Sequence, residues 1–118
     1  GSALPAWYPA DTENFPFYHD EDAPRVIDDA DIFSDVEEQV LEARITEIRA
    51  ELRRDVVIYT DVTDYGLGKD ICAADFYDFN GYGYGSEREG VCLYIDMDPN
   101  DRGWWCCCTG CCSLWRPG

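Results

Sequence analysis

Two groups of side chains in this sequence are of types that could do chemistry. The first is acidic. The stretch DMDPND places Asp96, Asp98 and Asn100 at alternate positions, the oxygen-donor spacing that opens a calcium loop. The pattern then breaks: Asp101 stands where such a loop takes glycine, and Cys107 where it takes glutamate, so this is no EF-hand. Taken alone, the stretch reads as a solvated acidic turn. Asp61 and Asp64, at the end of an earlier apolar run, add the carboxylates that a cation site would need. Calcium takes about six to eight oxygens, so closely spaced carboxylates and amides are what it selects. The pair Asp28 and Asp29 is a second acidic candidate, whose simpler role is a turn that hydrogen-bonds its own backbone.

The second group is the stretch WWCCCTGCCSLW, which carries Cys106, Cys107, Cys108, Cys111 and Cys112. Cys108 and Cys111 form a C-x-x-C pair, and Cys106 or Cys112 would complete four thiolates for zinc. All of these ligands lie on one short segment, too little chain to wrap an ion. If residues 104–108 form a strand, Cys106 and Cys108 face one side and Cys107 the other. Zinc is therefore not expected, nor is a redox role. Cys106 to Cys108 read as small apolar residues on a buried strand, and Cys111 and Cys112 as terminal thiols open to oxidation or to linking chains. The isolated Cys72 and Cys92 read as plain core residues.

Other chemistries find little support. There is no P-loop, no Cys-x5-Arg element and no nucleophile beside a histidine. GYGYG lacks the following lysine and helix of a phosphate cradle. The lone His19 sits in an acidic loop. A formal net charge of −16 repels phosphate backbones and anionic membranes, so nucleic acid is excluded as a partner, while cations and basic proteins are the natural complements.

These residues must be positioned by the 118-residue chain, a length that fits one domain. Gly1-Ser2 reads as a cloning scar, with any targeting segment already removed. Residues 1–25, rich in proline, acids and aromatics, read as an arm lying on the domain through Trp7, Tyr8, Phe15, Phe17 and Tyr18. Ser34 and Glu37 make a capping box. Val36, Val40, Leu41, Ile45, Ile48 and Leu52 then mark a helix over about 35–53, with that stripe as core. DVVIYTDV and GVCLYIDMD read as buried strands, ICAADFYDF as a short helix through Ile71, Ala74 and Phe79, and WWCCCTG as a third strand antiparallel to the second. The expected fold is α/β: a partly parallel sheet with flanking helices, in the order α-β-α-β-β. Ligands of such sheets bind outside the carboxyl ends of the parallel strands. Here those ends are Thr60-Asp61 and Asp96 to Asp98, both acidic.

VIDDADIFSDVEEQVLEARITEI resembles the opening of the TPM domain, found in thylakoid-lumen, photosystem II repair and acetylcholine-receptor accessory proteins. DVVIYTDV, ADFYDFNGYGYG, EGVCLYIDMD and DRGWWCCCTG follow in that family's order, and FYDFNGYGYG is similar to its Gram-positive bacterial variant. The resemblance covers about residues 25–110, giving an arm (1–25), a TPM-like domain (26–110) and an atypical tail (111–118). It implies a helix-sandwiched sheet in an exported, often membrane-tethered protein. Members are variously acid phosphatases, calcium binders or accessory factors, and the resemblance transfers no catalytic residue. In the family, further helices follow the third strand and cover one sheet face. CCSLWRPG does not resemble them, so a truncated or diverged short member is expected, whose under-covered face favours homodimerisation. The function expected is a non-enzymatic, extracytoplasmic accessory module with an unknown protein partner and a calcium site at Asp61, Asp64, Asp96, Asp98 and Asn100. A metal-assisted phosphatase at the same edge is the alternative, and a form without retained activity the third reading.

Overall fold

A computed structural model of the chain describes residues 3–108. Its elements are β1 (Val26–Asp28), α1 (Asp35–Leu52), β2 (Asp55–Asp61), α2 (Lys69–Phe79), β3 (Gly90–Asp96) and β4 (Gly103–Cys108). The capping box forms as its residues predict: the Ser34 hydroxyl accepts from the Glu37 amide at 3.1 Å, and the Glu37 carboxylate accepts from the Ser34 amide at 2.8 Å. Arg53 ends α1 in the left-handed conformation (φ 53°), its amide turned back to the Arg49 carbonyl.

The four strands form one sheet in the order β1-β2-β3-β4. β1, β2 and β3 run parallel and β4 returns antiparallel, which makes the fold the α/β class expected. β1 is an addition to the expected order. Three residues are too few for a periodic signal, and the strand exists because Val26, Ile27 and Asp28 pair with Ile58, Tyr59 and Thr60.

α2 packs on β3 and β4, and α1 on β1 and β2. The helices take opposite faces. Val57, Tyr59, Cys92, Tyr94 and Cys107 join Cys72, Ala73 and Phe76 of α2 in one buried cluster. Ile45 of α1 is buried apart from it, with Val26, whose register partner Ile58 alternates away from Val57 and Tyr59.

This division corrects three expectations. The α1 stripe is not core: of its six apolar residues only Ile45 is buried, while Val36 and Val40 are 68% and 63% exposed. α1 spans only the narrow β1-β2 half of its face, so most of its apolar arc has nothing beneath it. For the same reason β3 alternates buried and half-buried residues along its length, and β2 does so from Asp55 to Tyr59 before closing on the buried Thr60 and Asp61, instead of both strands being buried on both sides. β4 is likewise covered on one face, so Cys107 is buried while Cys106 and Trp104 are exposed. Within α2 the buried residues are Cys72, Ala73, Ala74, Phe76, Tyr77 and Phe79, whereas Ile71 points outward. Cys72 and Cys92 are core residues as predicted. Cys111, Cys112 and the remainder of the tail lie outside the described residues.

The core is aromatic. Tyr59 stacks on Phe76 with ring centroids 3.9 Å apart, and Trp7 of the arm meets Phe76 edge-on at 5.2 Å. The arm continues along α2 through Tyr8 and Phe15 against Phe79 and the Tyr18 hydroxyl to the Phe79 carbonyl. Its end is tied by the Asp20 amide to the Gly81 carbonyl at 2.8 Å. Gly81 has φ +77°, and a Cβ there would sit 2.6 Å from Tyr18 Cε2 and 2.9 Å from the Asp20 nitrogen.

Beneath the sheet lies a buried carboxylate. Asp55, at the start of β2, accepts from Arg25 Nε and Nη2, both at 3.1 Å, and from the Gly83 amide at 2.8 Å. Arg49 of α1 pairs with it at 2.9 Å. Burial alone would raise the Asp55 carboxyl, but Arg25, the Gly83 amide and Arg49 outweigh it and hold it below the usual carboxylate range. A depressed carboxyl stabilises the fold above its unfolded value of about 3.9 and loses that contribution as pH falls through the folded value.

Two outcomes are expected. Asp55→Ala leaves Arg25 charged and buried without its partner and should cost about 3–5 kcal/mol in urea unfolding, with the loss shrinking as pH falls below about 4. Gly81→Ala should cost roughly 1–3 kcal/mol and speed proteolysis of the arm, because a left-handed site takes on a side chain where Tyr18 already lies.

Candidate cation site at the carboxyl edge of the sheet

Parallel strands end together, and here each ends on an acid. The register aligns Asp28 with Thr60 and Asp61 with Asp96. The loop after β2 is set by its own turn chemistry and by the core: Asp64 Oδ1 accepts from the Gly66 amide, and the Tyr94 hydroxyl reaches up to the Thr63 carbonyl at 2.9 Å. Asp64 is thereby held beside the end of β3. The β3-β4 turn closes as an Asx-type turn, in which Asp98 Oδ1 accepts from the Asn100 amide at 2.9 Å and the Asp98 carbonyl from the Asp101 amide at 3.0 Å.

The acids sort into two sets. Asp64, Asp96 and Asp101 each offer one carboxylate oxygen, and these oxygens lie within 4.8 Å of one another. Asp96 is 1% exposed and Asp101 lies on the surface, so the set runs from the sheet outward. Lys69, the first residue of α2, reaches among them: its ammonium is 2.9 Å from Asp101 and 3.7 Å from Asp96. The hydrogen bond to Asp101 holds that ammonium above its ordinary range, with the charges of Asp101, Asp96 and Asp64 adding to it. The Lys69 stem runs over Gly103, where a Cβ would meet Cε at 2.8 Å. The amino end of α2 places further partial positive charge here.

The second set is Asp28, Asp29 and Asp61. Asp61 accepts from the Tyr59 hydroxyl, from the Tyr65 hydroxyl at 2.9 Å and from the Val62 amide at 2.7 Å. Asp28 accepts from the Ile32 and Phe33 amides and the Thr60 hydroxyl, the self-bonding turn considered from its sequence. Asp29 is left without such donors: burial, then Asp61 and Asp28, raise its carboxyl.

Of the five residues proposed from sequence, the structure brings Asp64 and Asp96 together. Asp61 faces the tyrosines, and Asp98 and Asn100 shape the turn. Two members of the set were missed. Asp101 counted only as the residue that broke a calcium loop, and Lys69 carried no local signal, since only tertiary packing puts it opposite Asp101. The donors are all hard oxygens, which fits calcium or magnesium and not zinc, which favours nitrogen and sulfur. Nearby groups are poor nucleophiles. Burial pushes the Cys72 thiol up to about 12, and burial with the Asp61 hydrogen bond pushes the Tyr65 hydroxyl up to about 12.

The raised Asp29 carboxyl has a testable sign. A raised acid favours the fold below its unfolded value of about 3.9 and loses that contribution as pH rises through the folded value. Asp29→Asn should therefore raise Tm at neutral pH, with the gain vanishing in acid, where Asp29 is itself neutral. Thermal scans across pH check this.

No curated protein and no solved structure matches this sequence. The model of the TPM domain matches residues 26–110, which contain the four strands and two helices of the described residues and both acidic sets. The chain belongs to the TPM domain family.

Proposed function

We propose that this domain is a non-enzymatic binding module whose carboxyl edge takes a divalent cation of the calcium type at Asp64, Asp96 and Asp101. The observation that carries this reading is their convergence: three carboxylate oxygens from three segments lie within 4.8 Å of one another, at the edge where open α/β sheets bind ligands. Lys69 serves as the internal counter-ion of the set, and a divalent cation would displace its ammonium. Three carboxylates completed by water make a weak site. A Kd of about 0.1–1 mM, the range of extracellular calcium modules, accords with an extracytoplasmic setting. The binding reading is favoured over catalysis because the hydroxyls and the thiol nearest the edge are locked or hard to ionise.

A metal-assisted phosphatase at the same edge is the second reading. One observation favours it: Lys69 and the amino end of α2 stand beside the acids and could hold a phosphoryl oxygen.

Calorimetric titration of the reduced, chelator-stripped chain with calcium, and with magnesium in parallel, separates these readings. Saturable binding is expected, abolished in Asp96→Asn and tightened several-fold in Lys69→Met, which removes the competing ammonium. Flat heats with both metals would sink the cation site. Metal-dependent hydrolysis of a generic phosphate ester, lost in Asp96→Asn, would replace the binding module with the enzyme.

A further inference from the structure

Residues 3–25 precede the stretch that matches the TPM domain, yet they close the core of this chain. Trp7 packs on the aromatic cluster from outside, edge-on to Phe76 at 5.2 Å and to Tyr59 at 6.2 Å. Tyr8, Phe15 and Phe17 stop at Phe79, so Trp7 is the ring by which the arm reaches the sheet. Its seat is imperfect. The indole N–H is buried and turned toward the Tyr59 hydroxyl, but completes no hydrogen bond among the described residues. A buried donor left unmade weakens the hold that the rings provide. The arm is no part of the sheet, and its other end is fixed by the Tyr18 hydroxyl on the Phe79 carbonyl and the Asp20 amide on the Gly81 carbonyl. A segment held in this way opens without the rest of the fold.

From Trp7 a continuous path leads to the carboxyl edge. The Tyr59 ring is stacked on Phe76, and its hydroxyl donates to Asp61. The same Asp61 oxygen accepts from the Tyr65 hydroxyl at 2.9 Å. Tyr65 needs that support, since it is held left-handed (φ 58°) ahead of Gly66 at φ 78°. The turn they form carries Asp64, whose Oδ1 accepts from the Gly66 amide and whose carbonyl accepts from the Leu67 amide, both at 3.0 Å. Leu67 closes the path by packing on the same core cluster as Trp7.

We propose that the arm is a strap that regulates the cation site. With Trp7 seated on Tyr59, the turn from Asp64 to Leu67 holds Asp64 toward Asp96 and Asp101; when the arm lifts, the turn loosens and the cation is bound more weakly. The strap rests on the cation reading of this edge and names how that site is regulated. Binding linkage is reciprocal, so a bound cation presses the arm down by the same factor. The element with two states is the arm itself, seated or lifted.

The test is hydrogen exchange of the whole chain, read by NMR with chelator and then with saturating calcium. The Asp20 amide reports the arm, and the Gly66 and Leu67 amides report the turn. The Glu38 amide, bonded to the Ser34 carbonyl at the start of α1, reports a local opening on the other face of the sheet. Calcium is expected to slow Asp20, Gly66 and Leu67 about fivefold or more and to leave Glu38 unchanged. In chelator alone, Trp7→Ala should quicken Gly66 and Leu67, a readout that needs no cation, and in titration it should weaken calcium by a similar factor. Tyr59→Phe keeps the stacked ring and removes only the hydroxyl on Asp61, so in that variant calcium should no longer slow Asp20. An Asp20 amide indifferent to calcium, in a chain that binds it, would overturn the strap and leave the cation site standing. So would uniform slowing that includes Glu38, or a Tyr59→Phe chain in which the coupling persists. No calcium binding at all would show the cation reading itself to be wrong, and the strap would fall with it.

Discussion

The Asp55 carboxylate is the point at which the parts of this small domain are joined. Its two oxygens are shared among Arg25, which precedes β1, Arg49 near the end of α1, and the Gly83 amide after α2. Arg25 in turn donates to the Asp20 and Ala23 carbonyls and lies over the Tyr82 ring at 5.0 Å, so the arm ends on the same knot. A fully buried carboxylate survives only with its lone pairs and charge satisfied, so these segments must come together or the acid must leave the interior. Gly90 shows how closely the chain is drawn in, since a Cβ there would sit 2.5 Å from the Asp55 carbonyl oxygen and from the Tyr77 hydroxyl.

With the amino ends of the strands tied below, their carboxyl ends fall level above, and the geometry of a parallel sheet gathers the acids there. The two sets resolve their repulsion differently. Asp28 and Asp61 are met by fixed donors (amides, the Thr60 hydroxyl and two tyrosines), which hold the carboxylates in place as part of the framework. Asp64 and Asp96 each accept one backbone amide, from Gly66 and Asp98, but among the described residues the only cation that reaches the set is Lys69 on its flexible stem, a point charge that can withdraw from Asp96 and Asp101. That difference, more than the number of acids, separates a structural carboxylate from one free to exchange its counter-ion.

The hydrophobic surface is divided just as unevenly. On the α2 side, stacked aromatics and the arm bury Tyr59 and Tyr94 completely. On the other side α1 meets only the two strands of the β1 edge, leaving Val36, Val40 and Trp104 exposed. Among the described residues, most of the apolar cover lies on the α2 face of the sheet.

The local signals were strong where neighbours in sequence settle the matter. The Ser34–Glu37 box, the period of α1, the runs of β2 and β3 and the antiparallel return of β4 follow from backbone hydrogen bonding and side-chain spacing. So does the acidic character of the strand ends. Which apolar residues are core did not follow, because the period of α1 says that one arc is apolar without saying how much sheet lies beneath it. Nor did the membership of the acidic sets, since Asp61 belongs with Tyr59 and Tyr65, and Lys69 with Asp101, only after α2 has packed against β4. Asp55 gives no sign of its burial in sequence, as an acid before a β-branched run reads as a surface residue until two arginines from other elements close on it. Spacing along the chain determines the elements, whereas pairings between distant residues depend on packing, and the knot below the sheet and the exchangeable site above it are both of that second kind.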